Sequence, residues 1–216
     1  MAVMGTVTPA GPGRPRDPEV DRRITQAALD VFGDAGWAGF AMEPVARRAG
    51  IGKATLYLRW SDKRALLADA LTAGLPRISD VDTGTLHGDL VELAAQLVAL
   101  YAGPCGRAAL RLHLEAASIT GIAEHYEQIR TAQIGAARDI IRRGISREEL
   151  PGGTSVTLLL DTLAGGAMMH ALTTPPGARA ALTARAGEHA RRLVDFLLHA
   201  VATPAHAVRE TGFDRS

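Results

Sequence analysis

The chain has 216 residues, and 47% of them are hydrophobic, enough to build a sizeable core in one or two domains. Its 24 basic and 23 acidic side chains give a formal net charge of +1. This balance excludes a uniformly basic coat protein but allows a local basic surface. The single cysteine, Cys105, excludes a disulfide framework and a zinc site built on cysteines.

The composition predicts an all-α protein. Alanine, leucine and arginine are abundant, and aromatic residues make up only 4% of the chain. We find no secretory signal and no continuous apolar run of membrane-spanning length, so we expect a cytoplasmic protein without membrane contact. The spacing of the histidines and serines matches no metal-binding or catalytic motif, so the sequence predicts no catalytic residue, no metal site and no cofactor.

Both ends of the chain lack apolar periodicity. Residues 1–17 hold three prolines and three glycines, which predicts a disordered arm made basic by Arg14 and Arg16. These arginines would either lie in a narrow minor groove of DNA or belong to an inert tail. Residues 204–216 are expected to form a flexible tail.

The first predicted helix begins at Pro18, with Asp17 as its N-cap, and closes at Gly36. A short helix follows from about residue 43 to residue 49, then a tight turn, then a second helix from about residue 53 to residue 60. Ser61 could cap the helix after that, which continues to residue 74. Apolar spacing and Gly-Pro breaks predict further helices at about 86–102, 107–119, 122–145, 154–173 and 178–202.

Residues 45–60 have the layout of a helix-turn-helix. Leu56 and Trp60 are four residues apart and would face inward, and Gly50 permits the left-handed conformation that ends the first helix. Positive charge is concentrated here: residues 40–65 contain six basic and two acidic side chains, whereas residues 71–216 contain 14 basic and 15 acidic. The outward side of the second helix therefore suits phosphates and base edges in the major groove of DNA.

At this point the sequence resembles a known family. Residues 18–67 resemble the N-terminal domain of the tetracycline-repressor-like (TetR) transcriptional regulators. The residues that carry the resemblance are Phe32, Gly36, Phe40, Val45, Ala46, Ala49, Gly50, Ile51, Thr55, Leu56, Tyr57, Trp60, Lys63 and Leu66.

The resemblance implies a three-helix DNA-binding domain at 18–75 and a helical ligand-binding and dimerisation domain at 76–203. It also implies a homodimer on a double-stranded DNA operator, most often a repressor released by a small-molecule effector. The implied or candidate DNA contacts are Lys53, Ala54, Thr55, Tyr57, Arg59, Lys63 and Arg47. Ala41 and Gly52 stand where the family usually has capping side chains, so the second and third helices should lack those caps.

The resemblance also implies that the last two helices pair with those of a second subunit in a four-helix interface, and two apolar stripes in the C-terminal part suit that role. The candidates are Leu160, Leu163, Ala167, Leu193, Leu197 and Leu198. The stripes could instead pack only within one subunit. Candidates for the effector pocket are Tyr101, His113, Tyr126, Met168, Met169 and His170. The alternative function is a small helical enzyme in which the helix-turn-helix is only a structural element.

Overall fold

The computed structural model describes residues 17–76, 78 and 81–202. The predicted basic arm before residue 17 and the tail 204–216 lie outside the described residues. Within the described ranges the chain forms α-helices and short 3₁₀ turns without strands, so the all-α prediction is confirmed. The helices are α1 (Pro18–Gly39), α2 (Met42–Ala49), α3 (Lys53–Tyr57), α4 (Lys63–Gly74), α5 (Leu86–Ala102), α6 (Gly106–Glu115), α7 (Ala123–Ser146), α8 (Val156–Thr173), α9 (Arg179–Ala184) and α10 (Ala186–Ala202).

Helix α1 begins and breaks where the sequence predicts. The Asp17 carboxylate accepts the backbone N–H of Glu19 at 3.0 Å, which makes Asp17 the N-cap. The helical path is interrupted at Gly36, whose φ of 64° favours glycine, and resumes for a few residues to Gly39. A Cβ atom at Gly36 would lie 2.7 Å from the Glu115 carboxylate, so this position is also a close approach between α1 and α6.

Helices α1 to α4 enclose an apolar core at the N-terminal end of the molecule. Its largest fully buried side chains include Phe32, Phe40, Leu56 and Leu66. Residues of α6 and of the turn after it pack on the same core, so the N-terminal unit rests directly on the rest of the protein.

Two local expectations about this unit are wrong. Helix α3 ends at Tyr57 rather than near residue 60, because the N–H groups of Arg59 and Trp60 both turn back to the Leu56 carbonyl at 2.9 Å. The N-cap of α4 is Asp62 and not Ser61. One oxygen of the Asp62 carboxylate accepts two backbone N–H groups of the first turn, at 2.8 and 2.9 Å. A charged carboxylate is a stronger acceptor for these groups than the neutral hydroxyl of Ser61.

The C-terminal part is a bundle in which α5 packs against α8 and α10, with α7 alongside. Helix α5 matches its predicted bounds, whereas the helix predicted over 178–202 is two helices, α9 and α10, separated at Arg185. Helix α8 has a mean hydropathy of 1.3 and is long and apolar enough to cross a membrane by composition alone. One side of it, with Leu159, Leu163 and Ala167, is buried against the other helices of the bundle.

Candidate nucleic-acid interface

The pair α2 and α3 is held by side chains that point into the core. Val45 and Ala49 of α2 and Leu56 of α3 are buried. Gly50 adopts φ 67° at the end of α2, and its N–H returns to the carbonyls of the last helical turn. Because Leu56 fixes one side of the five-residue helix α3, the opposite side faces solvent.

The solvent side of α3 and of the turn after it carries polar and apolar groups together. Lys53, Ala54 and Thr55 are exposed, and Tyr57 is 52% exposed. Leu58 is 87% exposed, the largest fraction among the exposed large hydrophobic side chains. Leu58 is not among the predicted contacts, although its outward position at the end of α3 is a usable signal in the sequence. A surface of this kind offers a cation, hydroxyl groups and methyl groups to DNA.

Lys53 and Arg47 remain accessible to phosphates. The Lys53 ammonium lies 3.6 Å from the Glu43 carboxylate, and both side chains are more than half exposed, so this ion pair is weak and easily exchanged for a phosphate. Arg47 is exposed and makes no ion pair within the described residues. Its neighbour Arg48 is held by Asp34 at 2.8 Å, and this hydrogen bond raises the pKa of the Arg48 guanidinium. Of the two arginines, Arg47 is thus the better candidate for DNA.

Two predicted DNA contacts have partners inside the protein instead. The Arg59 guanidinium donates to the Asp21 carboxylate of α1 and stacks on the Trp60 ring, 4.5 Å from its centroid. The Lys63 ammonium donates to the carbonyls of Trp37, at 3.3 Å, and Phe40, at 3.1 Å. It also lies 3.9 Å from the centroid of the Trp37 ring. Both cations therefore hold the turn after α3 and the start of α4 against α1.

As expected from the sequence, α2 and α3 have no side-chain N-cap. Ala41 and Gly52 occupy the cap positions with extended backbones and offer no hydrogen-bonding side chain. The first N–H groups of these helices are therefore left without side-chain acceptors at the cap position.

Most of the predicted dimer residues are turned toward the core of their own subunit. Leu163, Ala167 and Leu197 are at most 6% exposed, so they offer a partner little surface. Leu160, Leu193 and Leu198 are half-buried against the same core. The apolar stripes of α8 and α10 pack on α5, which is the alternative that the sequence left open.

A different apolar face of α8 and α10 is exposed. Leu158 and Met169 of α8 are 67% and 56% exposed, and Phe196 of α10 is 70% exposed. These side chains lie beside the stripes rather than on them. The usable signal in the sequence was that α8 is apolar on more than one side, as its mean hydropathy of 1.3 indicates.

A cavity of about 180 Å³ lies among α4, α5, α6 and α7. Its lining includes two predicted pocket residues, Tyr101 and Tyr126. His113 lies outside the lining, with Nδ1 3.3 Å from the Tyr126 hydroxyl. The other candidates, Met168, Met169 and His170, are on α8, which does not border this cavity. His170 instead stacks on His189, with ring centroids 3.7 Å apart.

Helix α6 contacts both the cavity and the N-terminal unit. Ala109 and Leu112 line the cavity. On the side toward α1, the Glu115 carboxylate accepts the Trp37 N–H at 2.7 Å, next to the break at Gly36. This hydrogen bond, followed by the one from Arg111, holds the pKa of Glu115 below its usual range despite partial burial. A change in the cavity that moved α6 would therefore reach α1 through Glu115.

A compact helix-turn-helix with an exposed polar helix, joined to a helical bundle that contains a cavity, defines a DNA-binding transcriptional regulator. Comparison with known proteins identifies the family. Residues 24–70 match the family model for bacterial regulatory proteins of the tetR family, and residues 80–196 match that for the tetracyclin repressor-like C-terminal domain. The chain belongs to the TetR family of transcriptional regulators.

Individual relatives agree with this assignment. The chain is 31% identical over 156 residues to the HTH-type transcriptional regulator AqdR of Rhodococcus erythropolis, which covers 72% of the chain and 74% of that protein. It is 29% identical over 167 residues to the regulator YdeS of Bacillus subtilis, covering 75% and 83%. The solved structure of the ketosteroid transcriptional regulator KstR2 of Mycobacterium tuberculosis has the same fold, with a TM-score of 0.70 at 18% identity, over 88% of this chain and 98% of that one.

Proposed function

We propose that this regulator is a cytoplasmic repressor without enzymatic activity. It binds a double-stranded operator as a homodimer and leaves it when a small molecule occupies the cavity. Residues 18–75 form the DNA-binding domain, and residues 76–203 form the effector-binding and dimerisation domain. The observation that carries the proposal is the exposed side of α3, which is fixed by buried Leu56 while Lys53 and Tyr57 stand in solvent.

The contacts of α3 with DNA divide by chemistry. Lys53 exchanges Glu43 for a base edge or a phosphate, and Thr55 and Tyr57 donate hydroxyl hydrogen bonds to the backbone. Ala54 and Leu58 present methyl groups, which pack on the C5-methyl of thymine. Arg47 supplies a further phosphate contact from α2. Two such helices, one from each subunit, would read half-sites about one helical turn apart.

The dimer is formed by the exposed apolar face of α8 and α10. Leu158, Met169 and Phe196 would be covered by the same residues of the partner, as a twofold interface requires. Gly165, where a Cβ would meet nothing within 4 Å, leaves room on this helix for a close approach by the partner. Such an interface also explains why α8 is apolar on its solvent-exposed side as well as on its buried side.

Release follows from the position of α6. A ligand in the cavity pushes on Ala109 and Leu112, and α6 transmits the shift to α1 through the bond from Trp37 to Glu115. Since α2 and α3 pack on α1, the distance between the two copies of α3 changes and only one half-site fits at a time.

Gel retardation on the DNA upstream of the protein's own gene tests this function. We expect a sequence-specific shifted band whose affinity falls steeply between about 50 and 200 mM salt. Tyr57→Phe and Leu58→Ala should weaken the specific shift without changing the melting temperature. Tyr126→Phe, a tyrosine change outside α3, serves as the control. Saturating protein without any specific band would refute the proposed function.

A further inference from the structure

The cavity among α4 to α7 is lined without a formal charge. No lysine, arginine, histidine or acidic residue is among the described residues that line it. Its polar groups are the hydroxyls of Thr72, Tyr101 and Tyr126 and the amide of Gln133. An ion taken into such a cavity would lose its hydration without gaining an opposite charge, so the lining selects against charged molecules.

Two titratable side chains that adjoin lining residues in sequence are engaged or in solvent. Arg130, on the same helix as Tyr126, is paired with Glu127 at 2.7 Å. His113 is exposed and lies beside the Tyr126 hydroxyl rather than in the lining. Neither group is placed to neutralise an anion inside the cavity.

Tyr101 is the polar group best placed to bind a ligand. Its hydroxyl makes no hydrogen bond to any residue in the described parts of the chain, whereas the Tyr126 hydroxyl is shared with His113. Burial raises the pKa of the Tyr101 phenol, which therefore remains neutral and able to donate. Burial likewise raises the pKa of the Tyr126 phenol.

The size of the cavity sets the size of the occupant. An apolar cavity of about 150 Å³ accepts benzene. At about 180 Å³, this cavity accommodates one ring with a short substituent. The remaining lining is aliphatic, with Leu71, Leu100, Leu112 and Ile129 among its side chains.

We propose that the effector is a compact, uncharged, mostly apolar ring compound whose single carbonyl or hydroxyl oxygen accepts a hydrogen bond from Tyr101. This inference rests on the proposed function in taking the cavity as the effector site. It adds a requirement that the fold does not impose, namely that the effector carries no carboxylate or ammonium group.

Isothermal titration calorimetry tests the inference by measuring the affinity of the full-length protein for three probes of similar size. The probes are acetophenone, which is a neutral acceptor, benzoate, which is an anion, and ethylbenzene, which has no polar group. We expect acetophenone to bind at least about tenfold more tightly than benzoate. Tyr101→Phe should weaken acetophenone about fivefold and leave ethylbenzene unchanged. Tyr57→Phe, outside the cavity, should change neither.

Three results would overturn the inference: benzoate that binds as tightly as acetophenone, acetophenone affinity that is unchanged in Tyr101→Phe, or no binding of any probe. Gel retardation on the upstream DNA without probe keeps these failures separate from the proposed function. A specific band together with a failed titration refutes only the ligand class, whereas the absence of a specific band refutes the function itself.

Discussion

Substitutions at two adjacent residues of α10 are expected to affect two different properties, dimerisation and the stability of each subunit. Phe196 is 70% exposed, whereas Leu197 is 6% exposed. Substituting alanine at each position removes an apolar side chain from two different faces of one helix, about 100° apart. Phe196→Ala should weaken the dimer and spare the fold, and Leu197→Ala should do the reverse.

The magnitude follows from the exposed area. A phenylalanine side chain presents about 200 Å², so about 140 Å² of Phe196 is available to a partner at 70% exposure. At about 25 cal/mol per Å², full coverage contributes about 3 kcal/mol per copy, and the twofold axis doubles it. Allowing for incomplete coverage and for the retained Cβ, we expect a loss of about 3 kcal/mol, or about 100-fold in the dimer dissociation constant.

Leu197→Ala should instead lower the free energy of unfolding by about 2–5 kcal/mol, because it leaves a void in a packed core. Sedimentation equilibrium over a dilution series measures the dimer, and urea unfolding at one protein concentration measures the fold. A Phe196→Ala protein that dimerises as tightly as the parent, or a folded Leu197→Ala protein that is monomeric, would refute the assignment of the two faces.

Three further outcomes are expected. Glu115→Gln should lower the free energy of unfolding by about 1 kcal/mol and reduce the effect of a cavity ligand on DNA affinity, whereas Glu127→Gln, in an exposed ion pair, should leave the free energy of unfolding nearly unchanged; urea unfolding measures stability and gel retardation measures DNA affinity. Because the pKa of Glu115 is lowered from 4.5 mainly by the Trp37 N–H, its contribution is present above pH 4.5 and is lost as the pH falls through the lowered value, so the difference between parent and Glu115→Gln should shrink in urea titrations as the pH is taken below 4.5. Lys53→Ala should reduce the slope of log DNA affinity against log salt concentration by about one without changing the melting temperature. Lys63→Met should instead lower the melting temperature and leave this salt slope unchanged.

Each of these results has an outcome that contradicts it. Equal losses for Glu115→Gln and Glu127→Gln would mean that the contact between α6 and α1 is no stronger than a surface ion pair. A difference that persists at acid pH would show that the Glu115 carboxylate is not its source. A reduced salt slope in Lys63→Met would show that Lys63 contacts a DNA phosphate.

The helix-turn-helix could be predicted from local pattern alone. Its positions are fixed by short-range rules: an inward pair four residues apart, and a glycine with φ 67° where α2 ends. Helix α1 could be predicted in the same way, since Asp17 marks its start and Gly36 marks the point where the helical path is interrupted. The family resemblance covered this same region, so both lines of argument agreed where the sequence is most informative.

The partners of long side chains could not be predicted in the same way. Motif position suggested DNA for Arg59 and Lys63, but α1 places Asp21 and the carbonyls of Trp37 and Phe40 within their reach. Sequence spacing describes one helix at a time, whereas these contacts depend on how two helices cross.

What covers the apolar stripes could not be predicted for a related reason. A stripe at helical spacing predicts a buried face but does not say whether a neighbouring helix or another subunit buries it. Here α5 occupies that position for Leu163 and Leu197. The cavity also required the fold, because its walls come from four consecutive helices whose mutual packing cannot be read from the spacing within any one of them.

Helix α8 is apolar both toward α5 and toward solvent. A newly synthesised monomer would therefore expose an aggregation-prone apolar surface until it dimerised. Pairing would then protect the polypeptide from aggregation and proteolysis as well as set the spacing of its DNA contacts. Cells that hold little of this protein would lose the unpaired fraction fastest, so abundance and operator occupancy would rise together more steeply than in simple proportion.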